Sequence, residues 1–515
     1  MNRSSRFISG VGASYIGLVV NISYSLAIVP IGLYYLGKDQ FGLWMLLVQV
    51  AGYLTFIEIG IFGAAARILI DYKDNKDGSA YAQVVTTAWA VLVVQAVLMA
   101  AASWLLTPLI VAAFNIPPPL HDIATYLFVF LGVSTALATC FKIFTAILYA
   151  NQRVDLVVLL LALQLVLGLA IVCSLLGAGY GLPAIIWSFL FPVSATSILS
   201  WLACYRLRLL PVRMRIADVS LLKFRELFKF GTDLFLVNVS TQLLEASQLM
   251  IVSRTMGLPA AAVWSVSTKL FTLIFQLTGK IENTAVVFLS EMIVRGEREK
   301  LHSSFRQMYQ LTGGLAVCGM LGAAAVNPYF VQAWAGSGVL WPAINNWLIA
   351  ALLILNLLLR CHTDFAMHTK KVGLLRFLLF FESLAFVGLA LWASPRFGFA
   401  GILTSAIICA LIFRTGYAIR RTAAYFGVQA GIVAFRWVAF LAPVAAAMTV
   451  VASLIQVLIA PLSSSPLLQF FVSATVVSLA AIAILFTFGL PVPVRKLIWE
   501  RLTIFHRSLP GGLRK

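Results

Sequence analysis

Residues 35–44 read "YLGKDQFGLW", and residues 254–264 read "RTMGLPAAAVW". Each stretch carries a glycine followed seven positions later by a tryptophan, and the two sets lie 220 residues apart: Gly37 and Trp44, then Gly257 and Trp264. The same offset relates two further pairs of stretches: "TPLIVAAF" (107–114) with "NPYFVQAW" (327–334), and "GLPAI" (from 181) with "GILTS" (from 401). Because one offset recurs at three separate places, the sequence predicts an internal repeat.

The composition around this repeat is that of an integral membrane protein. Of the 515 residues, 61% are hydrophobic and only 11% are charged, well outside the usual makeup of soluble domains. Apolar runs of about 20 residues or more, the length needed to cross a bilayer as a helix, recur from Val11 to Leu490. The six cysteines lie within these runs without a CxxC pair, so neither disulfides nor a zinc site is expected.

We predict an all-α polytopic protein of about fourteen transmembrane helices, arranged as two six-helix repeats and two C-terminal helices. Because six is even, both repeats enter the membrane from the same side and are parallel. The predicted segments are an N-terminal half (1–205), a basic cytoplasmic linker (206–227), a C-terminal half (228–425), two additional helices (426–490) and a basic cytoplasmic tail (491–515).

The net charge of +19 is distributed by topology. With the N-terminus placed inside, nearly all Lys and Arg residues of the loops and tails fall on the inner side, whereas the outer loops hold only Lys38, Arg254 and Arg396. This asymmetry predicts cytoplasmic termini. The linker and the tail are therefore interpreted as orientation signals that contact anionic lipids, and nucleic acid is not an expected partner.

One apolar run, "KLFTLIFQLTGKIEN" at 269–283, carries charges that call for an explanation. On a helix, five of its polar side chains fall within an arc of about 80°: Lys269, Thr272, Gln276, Lys280 and Asn283. Lipid cannot solvate such a face, so we predict that it lines a cavity. Glu282 projects roughly 160° from the lysines, so it is not expected to pair with Lys280.

Other polar residues inside apolar runs allow two interpretations each. Arg360 and Asp364 either neutralise one another at i and i+4 or belong to the transport site. Lys142 either extends to the membrane surface or lines the cavity, and Glu58 either pairs with Arg67 or takes up an ion. The seventh predicted helix, at about 228–253, has a polar face of its own, formed by Asn238, Thr241, Glu245 and Gln248.

Several classes of function are disfavoured by missing motifs. The sequence has no GxxxxGK[ST], HExxH, GxSxG or dinucleotide-binding motif, so we expect neither an enzyme nor ATP-driven transport, and no cofactor or metal. An ion gradient remains as the energy source. Its H+ or Na+ is expected to bind a buried acid, with Glu245, Glu58 and Asp364 as candidates.

The first hairpin resembles a known family. Residues 35–67, "YLGKDQFGLWMLLVQVAGYLTFIEIGIFGAAAR", are similar to the signature of Wzx-type polysaccharide transporters, in the superfamily of MATE drug exporters and the lipid II flippase MurJ. Glu58 stands where the family usually has Asp. The matching positions are Gly37, Gly42, Trp44, Tyr53, Gly60, Gly63 and Arg67. The resemblance implies a V-shaped bundle.

The resemblance also implies a cargo. It is a polyprenyl-pyrophosphate-linked oligosaccharide, flipped across the bacterial cytoplasmic (inner) membrane for O-antigen, capsule or exopolysaccharide synthesis, with other glycan-assembly proteins as candidate partners. The residues expected to bind it are Lys269, Lys280, Arg360, Gln276, Asn283 and Lys142. Two alternatives stay open: a MATE-like cation-coupled exporter of drugs or metabolites, and a membrane scaffold in a glycan-assembly complex.

Overall fold

The computed structural model describes residues 3–72, 78–211, 215–369, 374–459, 465–490 and 495. The predicted basic tail therefore lies outside the described residues, apart from Arg495, as do residues 212–214 of the linker. The described residues form helices and no strand, which confirms the all-α class. The α-helices are α1 (Arg3–Tyr53), α2 (Ile61–Tyr72), α3 (Ser79–Leu105), α4 (Thr107–Ala113), α5 (His121–Ala150), α6 (Val154–Gly177), α7 (Pro183–Arg206), α8 (Leu221–Met256), α9 (Leu258–Ser267), α10 (Lys269–Arg295), α11 (Arg298–Ala335), α12 (Ile344–His368), α13 (Leu375–Cys409), α14 (Gly416–Phe426), α15 (Ala430–Ile459) and α16 (Pro466–Ile484).

Within the described ranges, ten helical segments are long and apolar enough to cross a membrane, or eleven if α9 and α10, bent by 44°, form one span. The segments Ile16–Glu58 and Leu375–Phe426 contain 43 and 52 residues, more than one crossing needs. Each includes a glycine with a non-helical backbone at which two helices meet, Gly37 and Gly398 respectively. The chain is thus a multi-pass membrane protein, and the count of fourteen stays a prediction.

The backbone carries a trace of the repeat. Gly37 has φ 68° and ψ −178°, and Gly257 has φ 87° and ψ 172°. Glycine adopts this conformation far more readily than other residues, which explains why both repeats have glycine there. At the third stretch, Gly181 has φ 60°, but the break in the second repeat falls at Gly398, φ 58°, instead of Gly401. At this point the two glycines with positive φ are therefore 217 residues apart, three fewer than the offset of 220.

The chain divides into two compact units, Met1–Ser265 and Val266–Lys515. The core of the first unit lies between α2, α3 and α5, and includes Ile61, Tyr81 and Ile147. In this unit α8 packs against α1, where the Tyr53 hydroxyl lies 2.6 Å from the Ser247 hydroxyl.

The second unit is built around α11, which packs against α10, α12, α15 and α16. Its core includes Phe305 and Phe365, whose ring centroids are 4.9 Å apart, and extends to the two C-terminal helices through Val444 and Val477. The two helices predicted to follow the C-terminal repeat are therefore part of the packed core of this unit.

Candidate functional site

The polar face predicted for residues 269–283 is present on α10. Thr272, Gln276, Lys280 and Asn283 are exposed, and Lys269, the first residue of the helix, is half-buried. The opposite face is buried through Phe271, Leu273 and Thr278. One side of α10 thus packs into the second unit while the other presents an ammonium and two amide groups.

A buried hydrogen-bond network fixes the start of this helix. The Asn327 amide of α11 donates to the Ser267 carbonyl at the end of α9, at 3.0 Å, and to the Asn346 side-chain oxygen, at 2.8 Å. The Trp341 indole also donates to that oxygen, at 2.8 Å. Because Asn327 and Asn346 are almost fully buried, these bonds hold the junction of α9 and α10 in place just before Lys269.

Arg360 on α12 connects two helices. Its Nη2 donates to the Asn283 side-chain oxygen at 2.7 Å, while its Nε lies 3.3 Å from an Asp364 carboxylate oxygen and 3.5 Å from one of Glu282. The expected pair with Asp364 is therefore present, within a larger cluster. Glu282 is fully buried and lies away from the Lys280 face, as the helical projection predicted, and its partner is Arg360.

A second ion pair lies in the first unit. A 3-10 turn (Leu54–Glu58) separates α1 from α2, and Ile59 and Gly60 follow it with φ 50° and 69°. A left-handed backbone is rare for a β-branched residue and marks local strain. The turn directs Glu58 inward, where its carboxylate pairs with Lys142 of α5 and its carbonyl accepts from Gln95 at 2.8 Å.

The alternative that Glu58 pairs with Arg67 is wrong. Arg67 instead lies 3.0 Å from Asp71, one turn further along α2, and both side chains are more than half exposed. The 3-10 turn and the left-handed Ile59 and Gly60 precede α2, and Glu58 pairs with Lys142 of α5 instead. Lys142 turns to Glu58 and also lies 5.9 Å from the ring centre of Phe62.

The sequence analysis missed one charged pair in the second unit. Glu382 of α13 is almost fully buried and lies 3.0 Å from Arg414, whose side chain is 13% exposed. Arg414 also donates to Asn356 of α12 at 2.6 Å. Arg414 lies in a π-helical turn, Ala410–Thr415, a distortion often found at functional sites. The detectable signal was Glu382, a lone acid within a long apolar run. Asn356 lies one turn before Arg360, so α12 carries both charged clusters.

The remaining predicted residues are distributed over both units. Glu245 and Thr241 are exposed on α8 in the first unit and Gln248 is half-buried, while the Asn238 side chain lies outside the described part. On the same helix as Asp364, the sequence allows His362 to join a proton relay or to be isolated polar packing. Its ring is buried against Trp437, and its Nδ1 lies 2.9 Å from the Thr422 hydroxyl, which is polar packing. No group of three or more His, Cys, Asp or Glu side chains suited to a metal occurs among the described residues.

Comparison with known proteins identifies a family. The sequence model of a family described as "Polysaccharide biosynthesis protein" matches residues 35–341, more than half of the chain. No curated protein matches the sequence.

Solved structures show where the fold has been seen before. The chain is similar to the lipid II flippase MurJ in an inward closed conformation, with a TM-score of 0.73, 12% identity, and coverage of 96% of this chain and 100% of that one. For an inward-facing multidrug resistance MATE transporter of the MOP superfamily, the TM-score is 0.64 and the identity 13%, with coverage of 79% of this chain and 95% of that one. A third match is a MOP superfamily transporter from Pyrococcus furiosus, described as having a binding pocket of reverse polarity. Its TM-score is 0.56 and its identity 14%, with coverage of 81% of this chain and 96% of that one. The chain has the fold of these membrane transporters.

Proposed function

The chain belongs to this polysaccharide biosynthesis family, and on that premise we propose that it is a flippase for a polyprenyl-pyrophosphate-linked oligosaccharide. The cargo would move from the inner to the outer leaflet of the bacterial cytoplasmic membrane and supply O-antigen, capsule or exopolysaccharide synthesis. Both termini would be cytoplasmic, and the basic linker would contact anionic lipids.

The observation that carries this proposal is the exposed polar face of α10, with Lys280 and Gln276 on it and Arg360 bound to its far end through Asn283. A pyrophosphate loses its hydration when it enters a membrane protein, and charge-assisted hydrogen bonds from ammonium and guanidinium groups replace it. Lys269 adds a second ammonium at the start of the same helix. The amides of Gln276 and Asn283 are suited to sugar hydroxyls.

The proposed mechanism is alternating access between two repeats. The headgroup and sugars enter the basic cavity from the inner side while the polyprenyl chain stays in lipid, and the repeats then open outward. Uptake of H+ or Na+ by Glu245, Glu58 or Asp364 would bias the two states and drive the cycle. Lys142, whose side chain is partly exposed, would belong to the cargo-binding set.

The test is a reconstituted assay with the full chain. Proteoliposomes receive a pyrophosphate-linked lipid oligosaccharide and ion gradients, and an external probe measures how much of the lipid reaches the outer leaflet. Wild type should expose the lipid, and the Lys269→Ala/Lys280→Ala protein should not. If neither protein moves any of several such lipids, the flippase proposal is wrong.

A cation-coupled exporter is the second candidate, supported by the exposed carboxylate of Glu245 in the middle of α8. An acid at that depth suits a cationic compound. A strain that lacks the protein separates the two candidates. Increased sensitivity to cationic drugs with normal surface polysaccharide would favour the exporter, and loss of polysaccharide with unchanged sensitivity would favour the flippase.

A further inference from the structure

Two of the buried carboxylate pairs join the second and fourth predicted spans of a repeat. Glu58 belongs to the second predicted span (41–65) and pairs with Lys142 of the fourth (122–150). Glu282 belongs to the eighth (260–292) and pairs with Arg360 of the tenth (341–368). The acids are 224 residues apart and the bases 218, close to the 220 offset of the repeat. The second and fourth helices of each repeat are therefore joined by an acid and a base in the same order.

The pattern of burial is also the same. The side chains of Glu58 and Glu282 are 10% and 0% exposed, whereas those of Lys142 and Arg360 are 31% and 33% exposed. In both pairs the acid is buried, and the side chain of the base is about one third exposed. A cation held in this way is accessible to an anion, while its carboxylate partner is not.

We propose that each pair is an anion-exchange site, in which the carboxylate holds the cation until an anionic group of the cargo replaces it. The proposal rests on the proposed function only in taking the cargo to be a pyrophosphate lipid. In the exchange, the ion pair between carboxylate and cation is replaced by one between phosphate oxygen and cation. The freed carboxylate then takes up one proton, supplied by the acid form of the buffer, and becomes a carboxylic acid. Cargo binding is thus coupled to proton uptake.

Burial decides which acid takes up the proton at Arg360. Glu282 is fully buried and Arg360 is its ionic partner, so without Arg360 it has no solvent to stabilise its charge. Asp364 is 19% exposed and lies one turn from Arg360 on the same helix. When the cargo binds, Asp364 therefore stays close to Arg360 and remains partly hydrated. The other groups that face Glu282 are the Cys361 thiol of α12 and, beyond it, the Thr312 hydroxyl of α11.

The site in the first repeat has fewer charged neighbours. Lys142 of α5 is the ionic partner of Glu58, and Gln95 of α3 donates to its backbone carbonyl. Among the described residues, no second acid pairs with this lysine. If the two sites are equivalent, cargo binding should release both carboxylates and take up a proton at each. Binding should then become tighter as the pH falls.

The experiment measures protons directly. Purified full-length protein is titrated with farnesyl pyrophosphate by calorimetry at one pH in two buffers of different ionisation enthalpy, which gives the number of protons taken up per bound probe. The variants are Glu282→Gln, Glu58→Gln and the double variant. Glu297→Gln is the matched control, since Glu297 pairs with Lys300 at 3.2 Å outside the apolar spans.

We expect each single variant to take up fewer protons than wild type and the double variant fewest, with the control unchanged. Because glutamine no longer competes for the cation, the single variants should bind the probe about tenfold more tightly at neutral pH. Proton uptake equal to wild type in Glu282→Gln would overturn the proposal, as would failure of wild type to bind the probe. A change in Glu282→Gln alone would overturn the equivalence of the two sites.

The binding experiment also separates this inference from the flippase proposal. Probe binding with carboxylate-dependent proton uptake, combined with no movement of lipid oligosaccharide in proteoliposomes, would leave the exchange sites standing and contradict the flippase. Lipid movement by the wild type, combined with unchanged proton uptake in the variants, would support the flippase and contradict the exchange sites. Should Glu282→Gln fail to fold, Glu58→Gln tests the same exchange in the other repeat.

Discussion

Arg360 donates a 2.7 Å hydrogen bond to Asn283, the residue directly after the buried acid Glu282. One guanidinium thus contacts both the exposed polar face of α10 and the carboxylate behind it. Any anion that draws Arg360 toward the exposed face also draws it from Glu282, since both contacts use the same side chain. In the second unit, Arg360 therefore contributes both to the proposed anion-binding face and to the charge balance of Glu282.

Replacing Arg360 with alanine should destabilise the protein, because Glu282 would remain buried without its cation. Leaving a buried charge without its partner costs about 3 to 5 kcal/mol. A smaller loss is expected here, because Arg360 is one third exposed and Glu282 can take up a proton. Adding Glu282→Gln to Arg360→Ala should recover most of that loss. The free energy of unfolding in mixed micelles measures both effects, and a double variant no more stable than Arg360→Ala would contradict this account.

Replacing Lys269 and Lys280 with alanine should remove transport without reducing the amount of folded protein. Lys280 is exposed and Lys269 half-buried at the helix start, so neither fills a core position. The measurement is lipid oligosaccharide movement in proteoliposomes at equal protein content. Lys300→Ala is a suitable control. The Lys300 side chain is 74% exposed and pairs with Glu297, which directly precedes α11.

Reversing the Glu58 and Lys142 charges tests their pairing. Each single reversal, Glu58→Lys or Lys142→Glu, places two like charges together in a mostly buried site and should lower the melting temperature. The double reversal restores opposite charges and should recover part of the loss. Melting temperatures equal for the double and the worse single variant would show that the two side chains do not interact in the membrane.

Helical projection predicted the polar face of α10 well, because the relevant residues lie on one unbroken helix. It did not identify the partner of Glu58, since the 3-10 turn and the left-handed Ile59 end the regular helix at this acid. The actual partner, Lys142, lies 84 residues away on another helix. The same limit hid the pair of Glu382 and Arg414, which also depends on packing between helices.

Replacing Gly42 with alanine should destabilise the first unit. A Cβ there would lie 2.0 Å from the Leu258 carbonyl oxygen, a backbone atom that cannot turn aside, so the contact between α1 and α9 would have to open. Gly388 provides the matched control, since a Cβ at that helical position meets nothing within 4 Å. Gly388→Ala should leave the melting temperature unchanged or slightly raised because alanine favours helix. Equal melting temperatures for the two variants would contradict the close contact.

Replacing Asn327 with alanine should affect both stability and transport. Asn327 is 1% exposed and its amide bonds the Ser267 carbonyl and the Asn346 oxygen, so its loss should cost about 1 to 3 kcal/mol. Because Ser267 ends α9 two residues before Lys269, the junction that positions this lysine should loosen, and transport per folded molecule should fall. Ser303→Ala is the control, since that exposed hydroxyl on α11 bonds only the Lys300 carbonyl one turn away, at 2.9 Å. If Asn327→Ala lost stability but kept the wild-type transport rate, the network would support the fold without positioning Lys269.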